Sequence, residues 1–329
     1  MTEAIRVGIA GIASYLPPKV YTNKDFEKMV DTSDEWITER TGIKERHIVE
    51  GEANSDMVAK VALQLLKESG LRPDEVDCII CATFTPDRPL PTNACYVQAK
   101  IGASKAAVFD MAAACSGFLY GLKVGGALVA TGAYKNVLVF GSEVLSSIAN
   151  YRDRTTCVLF GDGCGGALLQ PWREGHHEML SIELGADGSA GDILYIPAGG
   201  QLMPLTHELL DQNMHKVIMN GNALFKRACR AMVDSTQSAL EKANLKLEDI
   251  TWLVPHQANI RILETTARML NIPKERVFIN LERTGNTSSA SIPIALDEAS
   301  GKGLFKKNDI IAMCAFGGGL TWGGAVMRW

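Results

Sequence analysis

The sequence predicts an α/β protein with a central sheet, made from a duplicated α/β unit. Short β-branched runs alternate with helix-length segments along the chain, the pattern of layered α/β folds. The phrase FGDGCGGALL at Phe160–Leu169 is echoed by FGGGLTWGGAVM at Phe316–Met327, each after an apolar strand. A composition 47% hydrophobic and 21% charged over 329 residues is that of a globular chain able to bury one large core or two fused ones.

Strands are predicted at Ile5–Ile9, Cys78–Thr83, Ala107–Asp110, Val137–Phe140, Gly165–Leu169, Trp252–Val254, Val277–Ile279 and Ile310–Ala315. Helices are predicted at Asp56–Ser69, Gly117–Gly132, Asn222–Ala243 and Arg261–Leu270. The first apolar run reads as a strand ended by Pro17-Pro18 rather than as a signal peptide, because Glu3 spoils a basic leader. The stretch from Cys115 to Tyr134 carries Lys123 as its only charge. Without basic flanks it reads as a helix buried on all sides, not a membrane span. The apolar pattern is interrupted by WREGHHE near Pro171–Glu178, which sets a border between halves at residues 1–174 and 175–329.

The net charge of -4 gives no basic field for nucleic acid. The eight cysteines sit mostly in apolar runs, as reduced core residues of a cytoplasmic protein do. Cys78 and Cys81 form a C-x-x-C, but VDCIICATF reads as a buried strand, and no second ligand pair completes a metal site.

Four phrases carry polar residues where α/β sites form. In AVFDMAAACSGF a strand ends near Asp110 and Cys115 stands at the start of an apolar helix. The unpaired N–H groups there favour thiolate over thiol and can hold an oxyanion. Position alone also allows one more core cysteine. In WLVPHQAN a strand runs into Pro255 and presents His256 before a helix, a usual place for catalytic groups, although a single histidine there is often structural. Asn286 lies in GNTSSAS ahead of an apolar helix, where a helix cap accounts for it as well as catalysis does. Three glycines at Gly317–Gly319 follow a buried strand and let backbone N–H groups approach a ligand.

Together with TSDEWITERTGIKERHI near the start, these phrases, in this order over essentially the whole chain, resemble the thiolase-like condensing enzymes. Among them the match is to the family of ketoacyl-acyl-carrier-protein synthase III. The resemblance implies a thiolase-like five-layered αβαβα fold built from two duplicated halves, and a homodimer. It implies Cys115 as acyl acceptor, His256 and Asn286 as the decarboxylation pair, and an oxyanion hole from the N–H groups of Cys115 and Gly318. It implies coenzyme A contacts at Thr32, Trp36, Arg40 and Arg154, a pantetheine tunnel lined by Asn222 and Phe225, and an acyl pocket reached by Leu90 across the dimer. Leucine at position 90, rather than a large ring, would leave room for more than acetyl.

A carrier-protein rim would be formed by Lys226, Arg227, Arg230, Arg261 and Arg268, although such spacing also describes an ordinary solvated face. The implied reaction converts acyl-CoA and malonyl-acyl carrier protein into 3-oxoacyl-carrier protein, CO2 and coenzyme A, the coenzyme A thioester being a substrate and no metal or redox cofactor being needed. A thiolase would carry a second catalytic cysteine in the glycine phrase. None stands there, and Cys314 belongs to the preceding strand. A hydroxymethylglutaryl-type synthase would need a carboxylate base, absent from these motifs. The alternatives are a secondary-metabolite condensing enzyme of the same fold and a non-catalytic acyl-thioester binder.

The chemistry matches these residue types. Loss of CO2 from malonate makes an enolate without removing a carbon-bound proton, so the site needs hydrogen-bond donors rather than a strong base. Covalent capture on a thiol fixes the electrophile beside that enolate.

Overall fold

The computed structural model describes residues 5–329; Glu3 lies outside them. Nine strands hydrogen-bond side by side: β1 (Val7–Tyr15), β2 (Cys78–Ala82), β3 (Ala107–Met111), β4 (Val137–Glu143), β5 (Gly163–Pro171), β6 (His177–Ala186), β7 (Trp252–Pro255), β8 (Ile310–Gly317) and β9 (Thr321–Arg328). Their order is β7-β8-β9-β6-β1-β5-β4-β2-β3. The N-terminal half runs β3-β2-β4-β5-β1, with the first two junctions parallel and the next two antiparallel. The C-terminal half repeats this as a parallel bridge from Val277 to Leu253, then β7-β8 parallel and β8-β9-β6 antiparallel. The halves meet where β1 pairs with β6, Gly8 opposite Glu178 and Ile9 opposite His177.

Two helices, Gly117–Ala130 and Ser291–Gly301, lie between the half-sheets and touch strands of both. Asn54–Ser69 and Asn93–Ile101 cover the outer face of the first half, and Gly221–Lys242, with Ile260–Met269 packed against it, that of the second. This is the five-layered αβαβα arrangement. Both faces of each half-sheet are therefore buried, which is why the strands read as unbroken apolar runs. Val137, Val139 and Ile80 point into the central core with Phe118 and Leu296. Leu138, Phe140 and Ile79 point outward against Met57 and Leu65. The same alternation separates Cys78 from Cys81, which lie in different cores on opposite faces of β2; they cannot share a ligand. Among the described residues no cluster of His, Cys, Asp or Glu is arranged to hold a metal.

The apolar helix Gly117–Ala130 sits flush on the sheet. A Cβ at Gly121 or Gly125 would fall 2.7 or 2.9 Å from a Val139 methyl, so larger residues would push the layers apart. No helix among the described residues is long and apolar enough to cross a membrane.

The predicted elements hold with shifted ends, except in two places. Val277–Ile279 makes a single bridge rather than a strand. The buried Gln257 side chain takes over there, donating to Phe278 O at 3.2 Å and accepting the N–H groups of Asn280 (3.1 Å) and Leu281 (3.3 Å). The last two residues of WREGHHE open a ten-residue strand, β6, that the sequence reading did not include.

Candidate active site

A cavity of about 1130 Å³ opens beside the middle layer. Exposed Arg40, Asn222, Lys226 and Arg261 line its mouth, and Trp36 and Phe225 its walls. Buried His256 and Asn286 and half-buried Cys115 form its inner end, with Phe316 and Gly317.

Cys115 belongs to a 3-10 turn, Ala114–Ser116, that leads into the helix Gly117–Ala130. Ala114 has φ +45°, a left-handed conformation costly for a residue with a Cβ. The turn lies against the start of the glycine phrase: a Cβ at Gly317 would come 2.6 Å from Cys115 N. Glycine is therefore obligatory at 317 if the backbone after β8 is to reach the nucleophile. The Ser288 hydroxyl donates to Cys115 Sγ at 3.4 Å. Burial nevertheless pushes the Cys115 thiol up to about 12. Burial thus works against the thiolate that the helix position favours. A helix N-terminus contributes about 0.3–1 kcal/mol, less than the ~1.4 kcal/mol of one pKa unit, and desolvation outweighs it.

His256 follows β7 and is buried, and burial lowers its pKa to about 3, so the imidazole is neutral. Its Nδ1 lies 2.6 Å from Ser291 Oγ, which also accepts the Gln257 N–H at 3.3 Å. The crowded HQAN turn divides its labour. Gln257 pins the neighbouring backbone as above, and Asn259 caps the next helix by accepting the Arg261 N–H at 2.9 Å.

Asn286 is held by the FGDG loop, its N–H donating to Leu159 O (2.8 Å) and its carbonyl accepting from Gly161 N–H (3.0 Å). Its Oδ1 accepts the Ser288 N–H at 2.9 Å, which leaves the side-chain NH2 as the group free to donate. Asp162 of the same loop is structural, accepting from the N–H groups of Val49 and Ser146, both at 2.8 Å. Buried Arg46 braces the loop from behind, its Nε donating to Val158 O at 2.9 Å.

A half-buried thiol, a neutral imidazole and an amide donor lining one cavity suit thioester capture and enolate stabilisation. The description 3-oxoacyl-[acyl-carrier-protein (ACP)] synthase III matches residues 109–188, which carry Cys115, and its C-terminal counterpart matches 240–329, which carry His256, Asn286 and the glycine phrase. A beta-ketoacyl-[acyl-carrier-protein] synthase III of Caldanaerobacter subterraneus subsp. tengcongensis is 51% identical, covering 100% of this chain and 99% of that protein. The chain belongs to the 3-oxoacyl-[acyl-carrier-protein] synthase III family. Synthase III of Aquifex aeolicus VF5 superposes with a TM-score of 0.91 at 45% identity, covering 98% of this chain and 100% of that one. The priming beta-ketosynthase of the R1128 polyketide pathway superposes with a TM-score of 0.92 at 30% identity, covering 100% and 97%. As a synthase III, the protein is an acyl-transferring condensing enzyme of fatty-acid synthesis.

Within this synthase III, the cavity gathers Cys115, His256, Asn286, Trp36, Arg40, Asn222, Phe225, Lys226 and Arg261. The other residues singled out from the sequence are not among its lining. Gly318 follows the lining Gly317. Arg154 stands over the Trp36 ring, 5.2 Å from its centroid, with Arg40 at 5.0 Å, and its Nη1 donates to Asp31 O at 2.6 Å. Thr32 is half-buried near by. Leu90 is 83% exposed and lines nothing within its own chain. Arg227 and Arg230 pair with Asp187 (2.9 Å) and Asp234 (3.0 Å). Arg268 lines a separate hollow with Ile272 and Lys274. Sequence reasoning did not single out Ser288, Ser291 or Glu143. The first two were signalled by the run of hydroxyls in GNTSSAS ahead of an apolar helix.

Proposed function

We propose that this synthase III transfers an acyl group from acyl-CoA to Cys115 and condenses it with the enolate of malonyl-acyl carrier protein. The observation that carries the reading is the gathering of Cys115 with two neutral donors, His256 and Asn286, in the lining of one cavity. Cys115 Sγ attacks the acyl thioester carbonyl, the carbon–sulfur bond to coenzyme A breaks, and coenzyme A leaves with the thiol proton. The malonyl thioester then binds, its carbon–carbon bond to the carboxylate breaks, and CO2 departs.

The enolate oxygen left behind accepts from Asn286 and from His256. The Ser291 hydroxyl already accepts the Gln257 N–H, so donating its one proton to Nδ1 satisfies both and puts the imidazole proton on Nε2, toward the substrate. The enolate carbon attacks the acyl-Cys115 carbonyl. The N–H groups of Cys115 and Gly318 hold the resulting oxyanion, the carbon–sulfur bond to Cys115 breaks to release 3-oxoacyl-carrier protein, and Sγ takes a proton from solvent to restore the thiol. Cys115 sulfur and the two thioesters supply every electron pair, so the proposed steps need no metal or redox cofactor.

Trp36, Arg154, Arg40 and Thr32 would receive the nucleotide of coenzyme A, Arg154 swinging out so that the adenine enters over the indole. Asn222 and Phe225 would flank the pantetheine. Lys226 and Arg261 at the mouth would meet the acidic carrier, with Arg227, Arg230 and Arg268 further out. The outward Leu90 supports an acyl pocket completed across a homodimer. Eight unpaired cysteines support a reducing, cytoplasmic setting, and the halves divide between residues 174 and 175. The test is carrier-dependent condensation with acetyl-CoA and longer and branched acyl-CoA primers, with intact-mass detection of acyl-Cys115. Acylation by the productive primers is expected; product formation without any acyl-Cys115 would refute the reading.

A further inference from the structure

Glu143, the last residue of β4, is fully buried and takes no part in the chemistry above. Its Oε2 accepts from the hydroxyls of Thr85 (2.5 Å) and Thr83 (3.2 Å) and from the Phe84 N–H (3.3 Å). Its Oε1 meets the Ser289 hydroxyl at 3.1 Å, and that hydroxyl also lies 3.0 Å from Ala82 O. A hydroxyl has one proton, and a carbonyl can only accept. With a carboxylate at Glu143, two acceptors compete for the Ser289 proton, and a buried negative charge has no cation paired with it among the described residues. With a carboxylic acid, Oε1–H donates to Ser289 Oγ, Ser289 donates to Ala82 O, and every group is satisfied. Burial acts in the same direction, pushing Glu143 up to about 8.

Ser289 stands where the two halves of the site touch. A Cβ at Gly141 of β4 would fall 2.2 Å from Ser289 O, and one at Gly117 would fall 3.4 Å from Ser289 Cβ. The preceding residue, Ser288, reaches Cys115 with its hydroxyl and Asn286 with its N–H. We propose that Glu143, as the neutral acid, is a positioning residue that locks the Asn286–Ser289 turn against Cys115, and that loss of its proton opens the lock. The inference rests on the roles given to Cys115 and Asn286 above.

The groups facing Glu143 from the surrounding segments are the neutral Thr83, Thr85 and Ser289, with Asn54 behind them donating to Thr83 at 3.2 Å. Cys115 is the titratable neighbour that feels its charge. Because Cys115 lies near 12 and His256 near 3, neither titrates between about pH 7 and 9.

The experiment compares kcat against pH for the wild type, Glu143→Gln, Glu143→Ala and Cys115→Ala, with melting curves for each. The glutamine amide can donate to Ser289 and has no proton to lose. Wild-type kcat should fall about tenfold per pH unit above roughly pH 8, and Glu143→Gln should stay flat there. At neutral pH Glu143→Ala should lower kcat about tenfold with KM for acyl-CoA unchanged, and Glu143→Gln should restore most of it. A shared alkaline fall in wild type and Glu143→Gln, or a glutamine variant no better than alanine, would overturn the proposal. If Glu143→Ala does not fold, the two pH profiles decide alone. Condensation by Cys115→Ala would instead refute the underlying site, whatever Glu143 does.

Discussion

The two helices of the middle layer are entered in the same way and put to different uses. Gly117–Ala130 follows the 3-10 turn Ala114–Ser116, and Ser291–Gly301 follows Ser288–Ala290. Each turn begins with a left-handed, non-glycine residue, Ala114 at φ +45° and Ser288 at φ +52°. Counted from there, Cys115 and Ser289 hold the same place. Cys115 faces the cavity, while Ser289 is buried against Ala82 and Glu143. A strained residue costs of order 1–3 kcal/mol, and the fold accepts it twice at one topological position. The duplicated backbone thus offers two entrances for polar groups. On the proposed roles, one supplies the nucleophile; the other adjoins the donor Asn286 and carries the packing that holds it against Cys115.

On the proposed reading the malonyl step falls to the C-terminal half, to Asn286 beside its entrance and His256 after β7, and acyl capture to the N-terminal entrance. The largest effect that separates them is expected from the donors. Asn286→Ala or His256→Ala should lower kcat for condensation about 10²–10³-fold, as loss of a preorganised donor does. Cys115 should still be acylated by acyl-CoA, as read by intact mass. If acylation fails as badly as condensation, the division of labour is wrong. A smaller effect belongs to neither entrance. Trp36→Ala should raise KM for acyl-CoA about tenfold and leave kcat nearly unchanged, since the indole binds both ground and transition states; steady-state kinetics checks it.

Much of this arrangement is legible in the sequence because both faces of each half-sheet are buried. Continuous runs such as Cys78–Ala82 and Ile310–Gly317 announce themselves, and three polar turns stand out against them. β6 escaped because His177–Ala186 mixes polar and apolar residues, and the WREGHHE interruption that runs into it reads as a border. Val277–Ile279 has the composition of a strand, but Gln257 replaces its ladder with side-chain bonds that no local pattern encodes. At Cys115 the helix position is visible in sequence, and the desolvation that opposes it is not. Glu143 was invisible for a related reason. It ends a strand whose predicted span stopped at Phe140, and its partners Thr83, Thr85 and Ser289 come from distant segments.

The central claim is that capture belongs to the N-terminal entrance and decarboxylation to donors of the C-terminal half, and release of labelled CO2 from malonyl-carrier protein by Cys115→Ala tests it most directly. With His256 and Asn286 intact, CO2 release should persist while carbon–carbon bond formation disappears. Loss of both together, in a variant that melts like the wild type, would contradict it.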